Sequence, residues 1–125
     1  MKNLIIDAAA DKIFFKVIND NKSYTSDYPN SRENFDKFVT LLFNFLKKNK
    51  INNKEINNIF VNQGPGKFSG IRTSISAAKA LSITNKLNLY GFDSELVKNR
   101  NYDKIIDLFN KGLLIKNLIK AQYSS

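Results

Sequence analysis

The 125-residue chain contains no cysteine and no histidine, and it has only five glycines and two prolines. Without cysteine there is no disulfide framework, no zinc–thiolate site and no thiol nucleophile. Without histidine there is no Ser-His-Asp triad, no HExxH site and no imidazole to hold a metal. No apolar run reaches 18 residues, and polarity returns directly after Leu4-Ile5-Ile6, so neither a membrane span nor a signal-peptide pattern is present. The expected compartment is the cytoplasm. Chemistry is left to Asp, Glu, Lys, Tyr and Ser, and no metal site, cofactor or catalytic residue is expected.

Acidic residues are also in the minority, 11 against 20 basic ones, for a net charge of +9. Such an excess suits nucleic-acid phosphates. It also suits a lysine-, asparagine- and isoleucine-rich composition of the kind an AT-rich genome produces. The densest cluster, Lys47-Lys48-Asn49-Lys50 with Lys54, closes a predicted helix, where cations complement the helix dipole. The length fits one domain with a single core.

What glycine and proline there is, the chain concentrates. Residues 62–72, Asn-Gln-Gly-Pro-Gly-Lys-Phe-Ser-Gly-Ile-Arg, hold three of the five glycines and one of the two prolines. The apolar run 56–61 before them reads as a strand, and 73–84 after them, with no helix breaker, reads as a helix. The stretch is therefore a strand-to-helix turn in an α/β fold, the place where such folds bring backbone close to a ligand or to a neighbouring element. Ser69 can cap the following helix. Lys67 and Arg72 make the turn a candidate anion contact at a helix N-terminus. Two phosphate-loop patterns fail, however: Phe68 stands where a P-loop needs Ser or Thr after Lys67, and Ser69 stands where a dinucleotide turn needs glycine. The other reading, which the residues alone favour, is that the glycines only let the helix pack tightly on its sheet.

Taken in order, residues 3–7, 13–18 and 22–28 read as three hairpin-linked strands, the first flanked by Asp7-Ala8-Ala9-Ala10. Asp7 is a possible metal or water contact; otherwise it ends its strand by meeting a backbone N–H or a lysine. Asn30 with Glu33 has capping-box spacing and opens a helix running to about Lys48. Phe35, Phe38, Val39, Leu42, Phe45 and Leu46 share one face of it, widened by Leu41 and Phe43 beyond what a one-sided helix needs. The surplus requires cover, from this chain or from a partner. The helix from Gly70 to Thr84 sets Ile71, Ile75, Ala78 and Leu81 towards a sheet and the small residues Thr73, Ser76, Ala77, Ala80 and Thr84 nearly opposite, suiting close helix–helix approach. Residues 86–92 read as a strand. After the polar link 98–101, residues 102–120 read as a helix with Ile105, Leu108, Phe109, Ile115 and Ile119 on one face and Gly112 as its weak point.

The turn resembles the signature of the TsaB (YeaZ) family, Gly-Pro-Gly-x-Phe-Ser/Thr-Gly-x-Arg, matched here by Gly64, Pro65, Gly66, Phe68, Ser69, Gly70 and Arg72. The resemblance implies an α/β chain with the fold of an actin-like (ASKHA, ribonuclease H-like) half-domain: a mixed sheet in the order β-β-β-α-β-α-β over residues 1–97, followed by the link and C-terminal helix of 98–125. It implies a non-catalytic subunit in the synthesis of threonylcarbamoyladenosine, the modified nucleoside beside the tRNA anticodon. In that family two helices pair with the catalytic subunit TsaD or with a second copy; a TsaE-like ATPase joins the larger complex and tRNA is met indirectly. On this chain the corresponding interface candidates are Phe38, Leu41, Leu42, Phe45, Thr73, Ser76, Ala77 and Ala80. Departures are the three alanines after Asp7, which offer a phosphate no hydroxyl, the partial echo at Ser31-Arg32-Glu33 of the family's His-Ser-Glu-like segment, and a second half reduced to one helix, so that the chain reads as a short form. Nucleotide binding is expected to be vestigial at most. The alternative reading is a small nucleotide- or phosphate-binding protein using the turn from Gly64 to Gly70.

Overall fold

A computed structural model describes residues 1–116 and places them around one six-stranded sheet in the order β3-β2-β1-β4-β5-β6. Its strands are β1 (Lys2–Asp7), β2 (Lys12–Asn19), β3 (Lys22–Pro29), β4 (Asn58–Asn62), β5 (Asn88–Phe92) and the two-residue edge β6 (Ile115–Lys116). β1, β4 and β5 run parallel, while β2 is antiparallel to both β1 and β3, and β6 is antiparallel to β5. The helices are α1 (Arg32–Asp36), α2 (Phe38–Lys48), α3 (Phe68–Asn85) and α4 (Asp103–Asn110). The expected strand–helix order is found from β1 to β5.

The three apolar residues of β1 serve two cores because side chains alternate across a strand. Leu4 and Ile6 join Ile59, Val61, Phe15 and the inner sides of α2 and α3. Ile5 joins Phe60, Phe92, Tyr102 and Ile105 on the opposite face, beneath α4. Both faces are covered, which explains the unbroken run Leu-Ile-Ile. Phe15 organises the larger core, meeting Phe38 edge-on at 5.4 Å between ring centroids and Phe45 at 5.7 Å.

Element ends depart from expectation in instructive ways. Helix 30–48 is two helices, broken at Lys37. Ser31, not Asn30, caps α1, its hydroxyl accepting from Asn34 N–H at 3.2 Å. The Asn30 amide donates to the carbonyls of Ala8 (3.2 Å) and Ala10, tying β3's end to the first hairpin, and in that orientation its Oδ1, the atom a cap would use, accepts no hydrogen bond among the described residues. α3 begins at Phe68, so Ser69 lies inside it rather than capping it, and Lys67 holds the cap position without a side-chain bond. The largest correction is at the C-terminal end. α4 stops at Asn110, and Gly112, with φ +71°, turns the chain so that Ile115 pairs with Gly91 as a strand. Ile115 is therefore not on a helical face, and residues 117–120 of the expected helix lie outside the described residues. Next to the expected boundary at 97/98, the 3-10 segment Ser94–Arg100 is kinked, with non-helical backbone at Val97, Lys98 and Asn99. Among the described residues, no helix is long and apolar enough to cross a membrane.

Candidate functional site: the strand ends and the α2–α3 face

Two features meet where β1 and β4 end. The first is a polar cluster on Asp7, which is 9% exposed. One carboxylate oxygen accepts from the Asn62 amide at 3.0 Å and the Ala9 N–H at 3.2 Å; the other accepts from the Tyr102 hydroxyl at 2.7 Å. Tyr102 stacks on Phe14, 4.7 Å between centroids and 12° from parallel. Asn62 in turn accepts from Gly64 N–H at 2.8 Å and from the Ser94 hydroxyl at 3.2 Å, which also lies 2.7 Å from the Pro65 carbonyl. A cavity of about 260 Å³ borders this cluster, lined among others by Ala10, Lys12, Pro65 and Asn99. Asp7 thus does meet a backbone N–H, as one of the two expected alternatives held, but its other partners come from β4 and from the segment before α4. Its carboxylate is held in place by groups of the chain itself.

The second feature is the turn. Gly64 takes φ +106° ahead of a cis Gly64–Pro65 bond, a conformation a side chain would strain. Gly66 and Gly70 are required by space instead. A Cβ on Gly66 would stand 2.2 Å from the Ala9 carbonyl oxygen, and one on Gly70 would stand 1.9 Å from that of Ala8. Ala9 also accepts from the Lys67 backbone N–H at 2.8 Å. The carbonyls of Ala8 and Ala9 therefore press against the N-terminal end of α3, where an anion would otherwise find free N–H groups. Lys67 and Arg72 do not converge either. Lys67 lines a cavity with Asn30 and Phe35, whereas the Arg72 guanidinium lies 5.9 Å from the Phe68 ring centroid and borders the groove between α2 and α3. The geometry favours the tight-packing alternative for this turn.

That groove is the third feature. Of the expected interface residues, Phe38, Leu42 and Phe45 are at most 2% exposed and belong to the core. They are corrected accordingly: they face the sheet and are out of a partner's reach. Leu41 is half-buried against the same core. The uncovered apolar side of α2 is the other one, with Val39 49% and Phe43 39% exposed. Across from it α3 presents Thr73, Ser76, Ala77 and Ala80, all at least partly exposed. Between the helices lie two adjoining cavities of about 440 and 300 Å³, the first lined by Val39, Arg72, Thr73, Ser76, Ala77 and Ala80, the second by Val39, Phe43, Ala77, Ala80 and Thr84. The helical wheel set Val39 on the inward face and Leu41 on its flank, whereas in the fold Leu41 packs on the core and Val39 is exposed.

Residues 29–96 match the family model described as TsaD: tRNA N6-adenosine threonylcarbamoyltransferase, which is more than half of the chain. The tRNA threonylcarbamoyladenosine biosynthesis protein TsaB of Buchnera aphidicola subsp. Schizaphis graminum (strain Sg) is 31% identical over 91 residues, covering 73% of this chain. Its counterpart from Buchnera aphidicola subsp. Baizongia pistaciae (strain Bp) is 26% identical over 80 residues, covering 64% of this chain. The chain belongs to the TsaB (YeaZ) family.

The matches cover 43% and 36% of these two relatives, so this TsaB-family chain aligns with less than half of their length. YeaZ from Pseudomonas aeruginosa superposes with a TM-score of 0.72 at 14% identity, covering 82% of this chain and 48% of that one. The fold is thus the actin-like, ribonuclease H-like mixed sheet expected. RuvC of T. thermophilus, in complex with a Holliday junction substrate, shares it more distantly, with a TM-score of 0.55 at 11% identity over 90% of this chain and 78% of that one. The family match spans the turn and the α2–α3 groove, while Asp7 and Tyr102 lie outside it. Sequence reading missed Tyr102, Asn62 and Ser94 as partners of that cluster. A Tyr 95 residues from an Asp carries no local signal; only the Asn62–Gly64 spacing, an Asx turn closing on the glycine N–H, was there to be read.

Proposed function

We propose that this chain serves tRNA threonylcarbamoyladenosine biosynthesis as a non-catalytic subunit that docks a TsaD-like enzyme on its α2–α3 face. The observation that carries the reading is the open groove between Val39 and Phe43 of α2 and the small residues of α3, inside the segment matched by the family model. Small side chains let a partner helix come close, and the exposed Val39 and Phe43 supply apolar area to bury. In the absence of enzyme the same groove would pair two copies of the chain, and a TsaE-like ATPase would join the assembled enzyme rather than this subunit alone. The internal bonding of Asp7 and of the Lys67 N–H supports a scaffold role over nucleotide chemistry at the turn.

Size-exclusion chromatography with light scattering tests this, using the chain with the TsaD of the same organism. A stoichiometric heterocomplex is expected for the unaltered chain. Phe43→Glu and Ala80→Arg, both at exposed positions, are expected to abolish it while moving stability by no more than about 0.5 kcal/mol, as surface changes do. Leu41→Glu is a poor probe, since Leu41 packs on the chain's own core. A chain that ignores TsaD, or variants that still pair, would overturn the docking face.

A further inference from the structure

The lysines of this chain are not spread evenly over the fold. The strand register places the start of β1, the β2–β3 hairpin and the starts of β4 and β5 at one end of the sheet. α2 and α3 each lead into the next parallel strand, so their C-terminal ends lie at that same end. Gathered there are Lys22, Lys47, Lys48, Lys50, Lys54 and Lys86, every one exposed. None of the six has an acidic partner within 4 Å among the described residues. The two acids at this end are already engaged: Asp20 lies 3.6 Å from the N-terminal amine, and Glu55 accepts from Lys2, which holds its carboxyl below the ordinary value. The opposite end differs. There Lys12, Lys37 and Lys98 are paired with Asp27, Glu33 and Glu95, while Arg32, Lys67 and Arg72 have no acidic partner within 4 Å among the described residues.

Helix dipoles account for only part of this. Lys47 and Lys48 stand in the last turn of α2, Lys54 in that of the short 3-10 helix Asn53–Glu55, and Lys86 caps α3, but Lys22 opens β3, away from any helix end. We infer that this end of the sheet is a docking surface for the phosphate backbone of RNA, adjoining the enzyme-binding groove. The choice of RNA rests on the proposed function; the cationic surface itself does not. A cavity of about 410 Å³ lies within it, lined by Phe43, Leu46, Lys47, Lys50, Asn52 and Asn53. Phosphates meet lysine there beside an aromatic ring, 39% exposed, on which an unpaired base can stack. The surroundings are asparagine-rich, with Asn49, Asn52, Asn53 and Asn57. Because Phe43 borders both this cavity and the α2–α3 groove, RNA held here would lie beside an enzyme docked on that groove.

The test is fluorescence anisotropy of a labelled tRNA anticodon stem-loop titrated with the full chain at several salt concentrations. The triple variant Lys47→Gln, Lys50→Gln, Lys54→Gln is expected to bind at least tenfold more weakly at low salt. Its slope of log affinity against log salt is expected to fall by about two, at roughly 0.7 per lost contact to a single strand. The variant Lys98→Gln, Lys104→Gln, Lys111→Gln, equal in net charge, is expected to stay within twofold of the unaltered chain. Equal losses in both triples would reduce the binding to net charge and overturn the surface, as would unchanged binding in the first. Lysine-dependent binding to phosphatidylserine vesicles, with none to the stem-loop, would make it a lipid surface and overturn it too. Light scattering with TsaD, run on the same triple, separates the two readings: pairing is expected to survive when RNA binding is lost, and Ala80→Arg is expected to do the reverse.

Discussion

Gly70→Ala is expected to cost the chain about 3 kcal/mol or more, at the upper end of what overpacking a filled site does. The direction is diagnostic, because intrinsic propensity points the other way. Gly70 lies in the first turn of α3, and alanine in a helix interior is favoured over glycine by about 1 kcal/mol. Here the added methyl would sit 1.9 Å from the Ala8 carbonyl oxygen and 3.0 Å from both the Ala8 carbonyl carbon and the Asn30 amide nitrogen. The obstacle is backbone, and it cannot retreat: Ala8 is fully buried and Asn30 donates to its carbonyl from the far side of the hairpin. Relief would require α3 to lift from the sheet, opening the contacts of Ile71 and Ile75. Urea denaturation followed by circular dichroism measures the loss. A variant as stable as the unaltered chain would mean that the turn is looser than described. Gly66→Ala, with its methyl 2.2 Å from the Ala9 carbonyl oxygen, is expected to behave alike.

Asp7→Ala is expected to destabilise by about 3 kcal/mol or more, since three donors lose their shared acceptor at once and a buried donor left unpaired costs about 1–3 kcal/mol. Those donors are the Asn62 amide, the Ala9 N–H and the Tyr102 hydroxyl, belonging to β4, to the first hairpin and to the residue that opens α4. The carboxylate ties these three segments together, so losing it loosens α4 from the sheet. Asp7→Asn does not repair it: one acceptor oxygen becomes a donor facing a donor. Tyr102→Phe isolates one arm. The ring keeps its stack on Phe14 and only the hydroxyl is lost, so a fall of about 1.5–3 kcal/mol is expected, the range for a hydrogen bond to a charged group. A double-mutant cycle between positions 7 and 102 measures the coupling. Additive losses would show that the two groups do not act together. A nucleotide that stabilised the unaltered chain against heat, and lost that effect in Asp7→Ala, would return the cluster to ligand binding.

The parts that were legible in the sequence share a cause: their signals are local. The buried strand Leu4-Ile5-Ile6, the strand-to-helix turn at residues 62–72 and the inward face of α3 each follow from residues within one or two turns of one another. The parts that were not legible depend on what lies across the molecule. Asn30 looked like a cap because its spacing to Glu33 is right, yet its amide is anchored on the Ala8 and Ala10 carbonyls, which keeps its oxygen away from the helix N–H groups, and Ser31 takes the cap. Leu41 looked like partner surface because a wheel cannot show where the sheet ends, and the groove moved to Val39 and Phe43. The helix expected through Lys120 rested on apolar periodicity that continued past Gly112; the glycine's positive φ and the open edge of β5 end the helix at Asn110 and make residues 115–116 a strand.

The sequence by itself determined the class of fold, the family and the site of the signature turn, because strand alternation and a glycine-spaced turn are written in consecutive residues. Only the tertiary structure decided what the turn is for. The glycines answer to two carbonyls that arrive from a segment more than fifty residues away, and the lysines form a surface only because parallel strands bring separate loops to one end of the sheet.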